Sequence, residues 1–259
     1  MNDLQNKIEG YFQAPESGDR EMIIKCVDSV FLLLNDGKVR VAEKKDGKWN
    51  VNDWVKKAIL LAFKVKPSQK SDFDSFDKID TLKYDYENPR YRKVPLSFIR
   101  NGVYIGDCAV IMPSYINTGV YIGSKTMVDM GVVIGSCAQI GANCHISALA
   151  CIGGVLEPYQ ASPVIIEDDC FIGANSSILD GVIVEENSVI ASGVNISTST
   201  KIIDRTSGKV SHGVIPSGSV VVPGSYQSNG LNISCAVIVK RADTKTKPKV
   251  DINEFLRNS

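Results

Sequence analysis

The sequence predicts a mainly β protein whose central part is a parallel β-helix. From residue 122 onward, thirteen aliphatic residues recur six apart in two runs. They are Ile122, Val128, Ile134, Ile140, Ile146 and Ile152, then Ile166, Ile172, Ile178, Val184, Ile190, Ile196 and Ile202. A period of six fits neither an α-helix, which repeats at about 3.6 residues, nor an ordinary strand, which repeats at about 2. It fits stacked coils in which each hexapeptide forms one short side and one corner, with the aliphatic side chain inside.

The other positions of the repeat also favour stacked coils. Glycine often follows the aliphatic residue, as at Gly123, Gly135 and Gly141, and small residues recur further along the unit. Each buried Ile or Val contributes roughly 1.5–3 kcal/mol, and neighbouring coils share that burial. The alternative is an all-β sandwich with coincidental spacing, which thirteen in-phase residues disfavour.

Irregularities in the repeat predict where the scaffold departs from a plain stack. The pattern begins at Ile105 and Ile111 and slips by one residue near Asn117. Polar insertions predict loops near residues 155–164 and 203–213. Insertions between coils are expected to project as loops, and such loops can carry a site.

Three regions are predicted: an α-rich N-terminal domain over residues 1–95, the β-helix over 96–225 and a C-terminal extension over 226–259. The first region is expected to hold a helix from Met22 to Leu34 ended by Asn35-Asp36-Gly37, a hairpin of Val39–Ala42 with Lys48–Val51, a helix from Trp54 to Phe63 capped by Asn52 or Asp53, and an exposed connector over 67–80. The extension is expected to hold a strand over Ala236–Lys240 and a short helix over Ile252–Arg257.

Composition narrows the functional class. The chain has 259 residues, and its 29 basic residues balance 29 acidic ones, which gives no reason to expect a nucleic-acid partner. No apolar run approaches the roughly 18 residues of a membrane span, and no signal-peptide pattern opens the chain, so a cytoplasmic protein is expected. The seven cysteines form no C-x-x-C pair, so free thiols and no metal site are expected.

Several longer strings are more specific than the repeat. They are Arg40-Val41-Ala42-Glu43-Lys44, Thr126-Met127-Val128-Asp129, Gly135-Ser136-Cys137-Ala138-Gln139-Ile140-Gly141, Ile152-Gly153-Gly154-Val155-Leu156-Glu157-Pro158, Ile165-Ile166-Glu167-Asp168, Gly181-Val182-Ile183-Val184-Glu185-Glu186, Cys235-Ala236-Val237-Ile238-Val239-Lys240 and Ile252-Asn253-Glu254. These strings resemble the tetrahydrodipicolinate N-succinyltransferase family of hexapeptide-repeat acyltransferases. The resemblance implies a left-handed β-helix and a homotrimer with active sites between subunits. It also implies succinyl transfer from succinyl-CoA to the amine of ring-opened tetrahydrodipicolinate, in the diaminopimelate branch of lysine biosynthesis.

The same resemblance implies that Asp129 is catalytic and binds substrate, and that Arg92 binds substrate. A carboxylate can orient an attacking amine and accept its proton, whereas a purely structural Asp would bond backbone N–H groups at a corner. A guanidinium fork suits a dicarboxylate, although Arg90 and Arg100 are alternatives to Arg92 and all three could simply be solvated.

Coenzyme A is expected to lie along small residues and to end at basic ones. The pantetheine arm could approach the backbone closely at the small residues Gly153, Gly154, Ala191 and Ser192. The phosphates would be met by Lys240 and Arg241. A solvated strand end is the alternative for the basic pair. His145 and His212 are interpreted as structural, and two histidines argue against the three-histidine zinc site of a γ-type carbonic anhydrase.

Three departures from the family pattern fall in the coils expected to line the cleft. Asn175 and Ser177 stand where the family has Arg and Glu, Met130-Gly131-Val132 replaces Thr-Trp-Ala, and Ala148-Leu149-Ala150-Cys151 replaces Gly-Gly-Val-Gly. Three hypotheses follow: a divergent succinyltransferase, an acyltransferase with another amine acceptor or acyl group, or a weakened enzyme. A non-catalytic β-helical assembly subunit is the hypothesis from a different class.

Overall fold

The N-terminal region forms a small helical domain. A computed structural model describes residues 1–71 and 75–242. The helical domain begins with α1 (Asn2–Gln13), which is followed by a 3-10 turn (Pro15–Ser17), α2 (Arg20–Asn35) and, after a hairpin, α3 (Asp53–Val65). Val27, Phe31 and Ile59 are among the side chains that bury the facing sides of these helices. The helix predicted after Met22 is confirmed, and it ends as expected where Gly37 adopts a left-handed φ of 67°.

The hairpin between α2 and α3 differs from the predicted one. Strands β1 (Ala42–Lys45) and β2 (Lys48–Val51) flank the two-residue turn Asp46-Gly47, where both residues have positive φ. The prediction placed the first strand at Val39–Ala42 and was wrong, because the tight turn brings the strand directly up to residue 45. Asn52 is the N-cap residue of α3, as predicted, but its side chain makes no capping hydrogen bond and donates instead to the carbonyl oxygen of Arg40 at 2.8 Å.

Residues 67–80 hold more structure than the predicted connector. Strands β3 (Gln69–Ser71) and β4 (Ser75–Asp77) pair in antiparallel fashion. Ile79 is buried, and Asp77 forms an ion pair with Arg100. The segment therefore fastens the N-terminal domain to the first coils.

Three parallel sheets form the sides of the β-helix, and the chain visits them in rotation. The face that the N-terminal domain packs on, here the covered face, consists of β7 (Tyr104–Ile105), β10 (Tyr121–Ile122), β13 (Gln139–Ile140), β16 (Ile165–Ile166), β19 (Ile183–Val184) and β24 (Val214–Ile215). The open face consists of β6 (Phe98–Ile99), β9 (Tyr115–Ile116), β12 (Val133–Ile134), β15 (Cys151–Ile152), β18 (Ser177–Ile178) and β21 (Asn195–Ile196).

The third side, here the hairpin face, continues into the C-terminal strands. Its coil strands are β5 (Arg92–Lys93), β8 (Val110–Ile111), β11 (Met127–Val128), β14 (His145–Ile146), β17 (Phe171–Ile172) and β20 (Val189–Ile190). It is extended by β25 (Ser219–Ser228), β26 (Leu231–Arg241), β22 (Ile202–Asp204) and β23 (Val210–Ser211). The predicted strand Ala236–Lys240 is thus part of β26, whereas the predicted helix Ile252–Arg257 lies outside the described residues. The stack begins at Arg92, before the predicted boundary at residue 96.

Strand register confirms the inward aliphatic column. Ile122 pairs with Ile140 and Ile140 with Ile166, and each of these side chains is at most 1% exposed. Lys93 takes the inward position in the first coil, beside Ile111, and burial lowers the pKa of its amine. The one-residue slip falls between Ile111 and Ile116, because β8 and β9 are joined by Met112-Pro113-Ser114 alone.

Corners bring neighbouring coils so close that the glycines after the covered face are required. A Cβ on Gly106 would lie 2.5 Å from the backbone nitrogen of Ser124, and one on Gly123 would lie 2.4 Å from that of Ala142. Since real Cβ atoms do not approach backbone this closely, a side chain here would separate the coils.

The first predicted loop, residues 155–164, packs on the N-terminal domain on one side, while Glu157, Pro158 and Gln160 are exposed. Fully buried Lys56 of α3 donates to the carbonyl oxygen of Ala161 at 2.7 Å. Tyr159 lies edge-on to Phe12 at 5.4 Å and beneath the amine of Lys57 at 4.9 Å. This loop therefore joins the helical domain to the fourth coil. Across the described part of the chain, the helices are too short or too polar to cross a bilayer.

Candidate active site

Asp129 directly follows β11, at the corner between the hairpin face and the open face. Its Oδ1 accepts a hydrogen bond from the backbone N–H of Met130 at 3.0 Å, and its Oδ2 lies 3.5 Å from Nε2 of His145. A quarter of the Asp129 side chain is exposed, whereas His145 is almost fully buried. The carboxylate can therefore meet a ligand on one side while the imidazole supports it from the other.

His145 was interpreted as structural from the sequence, and its position beside Asp129 is the feature that this interpretation missed. Met127 and His145 are 18 residues apart and pair directly in register, so one full coil separates them. A residue 18 positions after a strand residue stacks on it, and this spacing could have placed His145 next to the strand that ends at Asp129. Phe171, in the next coil, packs edge-on against the imidazole at 5.2 Å.

Arg92 lies on the same face as Asp129. Register links Arg92 to Val110 and Val110 to Met127, so two strand spacings, about 10 Å, separate Arg92 from β11. Arg92 is exposed at its end of the stack. A long, exposed guanidinium at this distance can hold one end of a small ligand whose other end reaches Asp129.

The two alternative arginines are engaged elsewhere. Arg100 is buried, forms an ion pair with Asp77 and donates to the side-chain oxygen of Asn117 at 3.1 Å. The guanidinium of Arg90 lies 5.2 Å from the ring centroid of Tyr104, on the covered face. Arg92 is therefore the arginine of the three that shares a face with Asp129.

Comparison with known proteins identifies the family. The family description "Tetrahydrodipicolinate N-succinyltransferase N-terminal" matches residues 3–65, and "Hexapeptide repeat of succinyl-transferase" matches residues 163–197. A 2,3,4,5-tetrahydropyridine-2,6-dicarboxylate N-succinyltransferase from the Wolbachia strain of Brugia malayi is 52% identical, over 90% of this chain and 88% of its own length. The enzyme of the same name from Polynucleobacter asymbioticus is 49% identical, over 95% of this chain and 93% of its own. The chain belongs to the tetrahydrodipicolinate N-succinyltransferase family.

A solved structure agrees with the fold. A 2,3,4,5-tetrahydropyridine-2-carboxylate N-succinyltransferase from Campylobacter jejuni superposes with a TM-score of 0.54 at 18% identity. The match covers 86% of this chain and 64% of the other. At 18% identity, this superposition supports the β-helical fold of the chain and nothing further.

The residues predicted to bind coenzyme A do not converge within one subunit. Ala191 and Ser192 follow β20 on the hairpin face. Lys240 lies on the same face, in the row of outward side chains and three strands from Phe171. Gly153 and Gly154 lie instead at the corner after the open face. For this family member their assignment to the cofactor stays a prediction.

Two of these residues already have structural roles. A Cβ on Gly154 would lie 2.5 Å from the backbone nitrogen of Ser136, so coil packing by itself requires glycine there. The guanidinium of Arg241 donates to the carbonyl oxygen of Ser217 at 3.0 Å and to Oγ of Ser219 at 2.6 Å. Lys240 is exposed and remains the better placed of the basic pair to meet a phosphate.

The departures from the family pattern lie around Asp129. A Cβ on Gly131 would lie 2.5 Å from Cδ2 of Leu149, so the leucine fills the space where the family pattern has Trp opposite Gly. Ser177 points outward on the open face, in register with Cys151 and Asn195. Among the described residues, no three His, Cys, Asp or Glu side chains are grouped as a metal site would require.

Proposed function

We propose that the protein transfers a succinyl group from succinyl-CoA to the amine of ring-opened tetrahydrodipicolinate. Its relatives are named 2,3,4,5-tetrahydropyridine-2,6-dicarboxylate N-succinyltransferases, which supports the transfer and the acceptor. The observation that carries the proposal is the carboxylate of Asp129, which accepts from the backbone N–H of Met130 and lies 3.5 Å from Nε2 of His145, with Arg92 on the same face. The proposed setting is the cytoplasm, in the diaminopimelate branch of lysine biosynthesis.

Asp129 supplies the acid–base chemistry in this proposal. The neutral amine attacks the thioester carbonyl carbon, a C–N bond forms, and the C–S bond breaks to release CoA as a thiol. The nitrogen must lose a proton in this sequence, and a carboxylate within hydrogen-bond reach can accept or relay it. His145 is a positioning residue, because its ring contacts Oδ2 and holds the carboxylate toward the ligand.

Substrate carboxylates and cofactor phosphates are assigned to the basic residues of the same face. Arg92 pairs with the carboxylate of the acceptor that lies away from the reacting amine, through two parallel N–H donors. Lys240 meets a phosphate of CoA, and Ala191 and Ser192 line the pantetheine arm. Arg241 acts by holding the strand that presents Lys240. Gly153 and Gly154 would reach the arm from the neighbouring subunit.

The surface beside Asp129 supports the proposal of a homotrimer with sites between subunits. Large apolar side chains are exposed on the open face and its adjoining corner, here called the open-face patch: Leu96, Tyr115, Met130, Val133 and Leu149. Monomers rarely expose such a patch, whereas a head-to-tail contact repeated around a threefold axis would bury it. Since Met130 directly follows Asp129, a second copy docked there would form one wall of the active site.

A second candidate, transfer to a different amine, is favoured by the substitutions around Asp129. Ser177 offers a neutral polar group where the family pattern has a carboxylate, and Asn175 offers one where it has an arginine. Leu149 and Gly131 reshape the corner next to Asp129. An acceptor of another size or charge would fit such a changed wall.

Two measurements test these alternatives. Calorimetric titration with CoA should show binding, and the absence of heat would support the non-catalytic assembly subunit. Thiol release from succinyl-CoA should then depend on tetrahydrodipicolinate. Release with another primary amine, and none with this substrate, would transfer the proposal to the second candidate.

A further inference from the structure

A cavity of about 410 Å³ lies on the covered face, away from Asp129. The hairpin β1–β2 and the preceding residue Arg40 form one wall, with Trp49 at its centre. Coil residues from the second to the fifth coil form the other wall, among them Tyr121, Glu167 and Glu186. The proposed transfer reaction uses none of these residues.

Two cations line this cavity: Lys44, which pairs with Glu167, and Arg40. Its guanidinium stacks 3.6 Å from the ring centroid of Tyr121 and lies 5.8 Å from that of Trp49. Its Nε donates to Oε1 of Gln139 at 3.1 Å. Within residues 1–71 and 75–242, its two terminal nitrogens have no acceptor, and no carboxylate lies within ion-pair distance.

Arg40 therefore has a desolvated charge and unused donors. Burial lowers the pKa of its guanidinium, which reflects the loss of hydrating water. A planar group held between aromatic rings keeps its N–H fork in a fixed direction, which suits bidentate contact with a carboxylate.

One acidic side chain of the cavity is fully hydrogen-bonded within the protein, and two others are available to a ligand. Glu167 accepts from Nζ of Lys44 and Nε1 of Trp49, both at 2.7 Å, and from the backbone N–H of Glu186. Burial acts to raise the pKa of Glu167, and these hydrogen bonds outweigh it, so the carboxylate is charged and fully used. Asp168 and Glu186 are exposed at the rim, and the second oxygen of Asp168 remains available after Oδ1 accepts from Ala142.

We propose that this cavity binds a small α-amino acid as a zwitterion. The ligand carboxylate pairs with the terminal nitrogens of Arg40, and the ammonium group lies at the rim near Asp168 and Glu186. The acidic rim disfavours dianions and phosphates, and the cationic interior disfavours simple amines. A molecule that carries both charges a few ångströms apart satisfies both ends at once.

Fluorescence provides a direct readout, because the chain has two tryptophans and one of them lines the cavity. Trp54→Phe leaves Trp49 as the single emitter. Glycine and L-alanine should shift its emission saturably, whereas acetate and methylamine at the same concentrations should bind at least tenfold more weakly. Calorimetry on the unaltered full-length chain checks that the Trp54 change has not created the effect.

Variants assign the two charged ends. Arg40→Lys keeps a cation but loses the fork, and it should weaken glycine binding at least tenfold. Glu186→Gln should weaken it about threefold, as expected for an exposed pair. Glu185→Gln removes the neighbouring carboxylate, which bonds the backbone of Ser217 outside the cavity, and should leave binding unchanged.

Thermal unfolding of each variant separates loss of a contact from loss of the fold. Equal binding of acetate and glycine would reduce the cavity to an anion site and overturn the proposal. So would an unchanged Trp49 signal at about 50 mM glycine, or glycine binding that survives both Arg40→Lys and Glu186→Gln in folded protein. These outcomes do not depend on transferase activity.

Discussion

At the scale of single residues, the charge state of a group is set by what the coils place beside it. Glu167 is almost fully buried and yet charged, because three donors converge on it. Asp129 is partly exposed, with His145 as its one near side-chain neighbour of opposite potential charge in the described structure. A buried, fully paired carboxylate stabilises the fold, whereas a supported but open one is available for chemistry.

Asp129→Asn should lower turnover by about 10²–10⁴-fold, the range for loss of a general base. An amide keeps the size of the side chain but cannot accept the proton. Steady-state thiol release measures the effect, and calorimetry should show CoA affinity within about twofold of the unaltered protein. Asp107→Asn, at an exposed corner, is the control and should be silent. Turnover near normal in Asp129→Asn would remove this residue from its proposed role.

His145→Gln tests whether the imidazole acts through Asp129. We expect a drop in kcat of about tenfold with an unchanged KM for succinyl-CoA, because positioning is lost and cofactor binding is not. The decisive measurement is the double variant with Asp129→Asn. If the two residues act as one unit, the double variant should be no slower than Asp129→Asn alone. If the fold-losses in kcat of the two single variants multiply in the double variant, the two residues have independent roles.

At the scale of elements, contacts between regions decide features that the repeat leaves open. The loop over residues 155–164 has the composition of a projecting insertion, but Lys56 and Lys57 of α3 bind it to the helical domain. The sequence pattern of neither segment predicts this contact, because it joins residues about a hundred positions apart. Asn52 similarly occupies the predicted N-cap position, but its side chain bonds the carbonyl oxygen of Arg40 and not the helix.

Burial of Lys56 should give the fold a pH dependence. Desolvation lowers the pKa of Lys56 below the ordinary lysine value of 10.5, so the native state releases this proton before the unfolded chain does. The unfolded state then binds more protons between the two pKa values, and stability rises with pH through that window. In urea titrations, we therefore expect the free energy of unfolding of the unaltered protein to rise relative to that of Lys56→Met as the pH increases toward 10.5. Parallel pH profiles would contradict a charged, buried Lys56.

Gly131 and Leu149 form a matched pair at the corner beside Asp129. Gly131→Trp should disturb that corner, because even its Cβ would lie 2.5 Å from Cδ2 of Leu149. Adding Leu149→Gly should relieve the clash, so the double variant should unfold at a higher temperature than Gly131→Trp alone. If Leu149→Gly gives no recovery, the two positions are not coupled and the substitution at Gly131 is limited by its positive φ.

At the scale of the whole molecule, the sequence predicts what repeats and misses what does not. The inward column from Ile122 to Ile202 could be predicted because each coil obeys the same steric rule. Asp129 and Arg92 came from a resemblance, and the structure adds that they share one face. The helix α1, the shifted first hairpin strand and the contact of His145 with Asp129 depend on packing between segments, which a single period cannot encode.

The open-face patch should hold the assembly together. Val133 is 45% exposed in a single chain, at the first position of its strand and between Tyr115 and Cys151 in register. Val133→Asp would bury a charge at a contact between copies, so sedimentation should show trimers replaced by monomers at micromolar concentration. Leu32→Asp, equally apolar and 65% exposed but on α2, is the matched control and should remain trimeric. Because the proposed trimer places a second copy against the site beside Asp129, thiol release should fall with the trimer in Val133→Asp and persist in Leu32→Asp. A Val133→Asp protein that stays trimeric, or a monomer with full activity, would refute the proposed inter-subunit site.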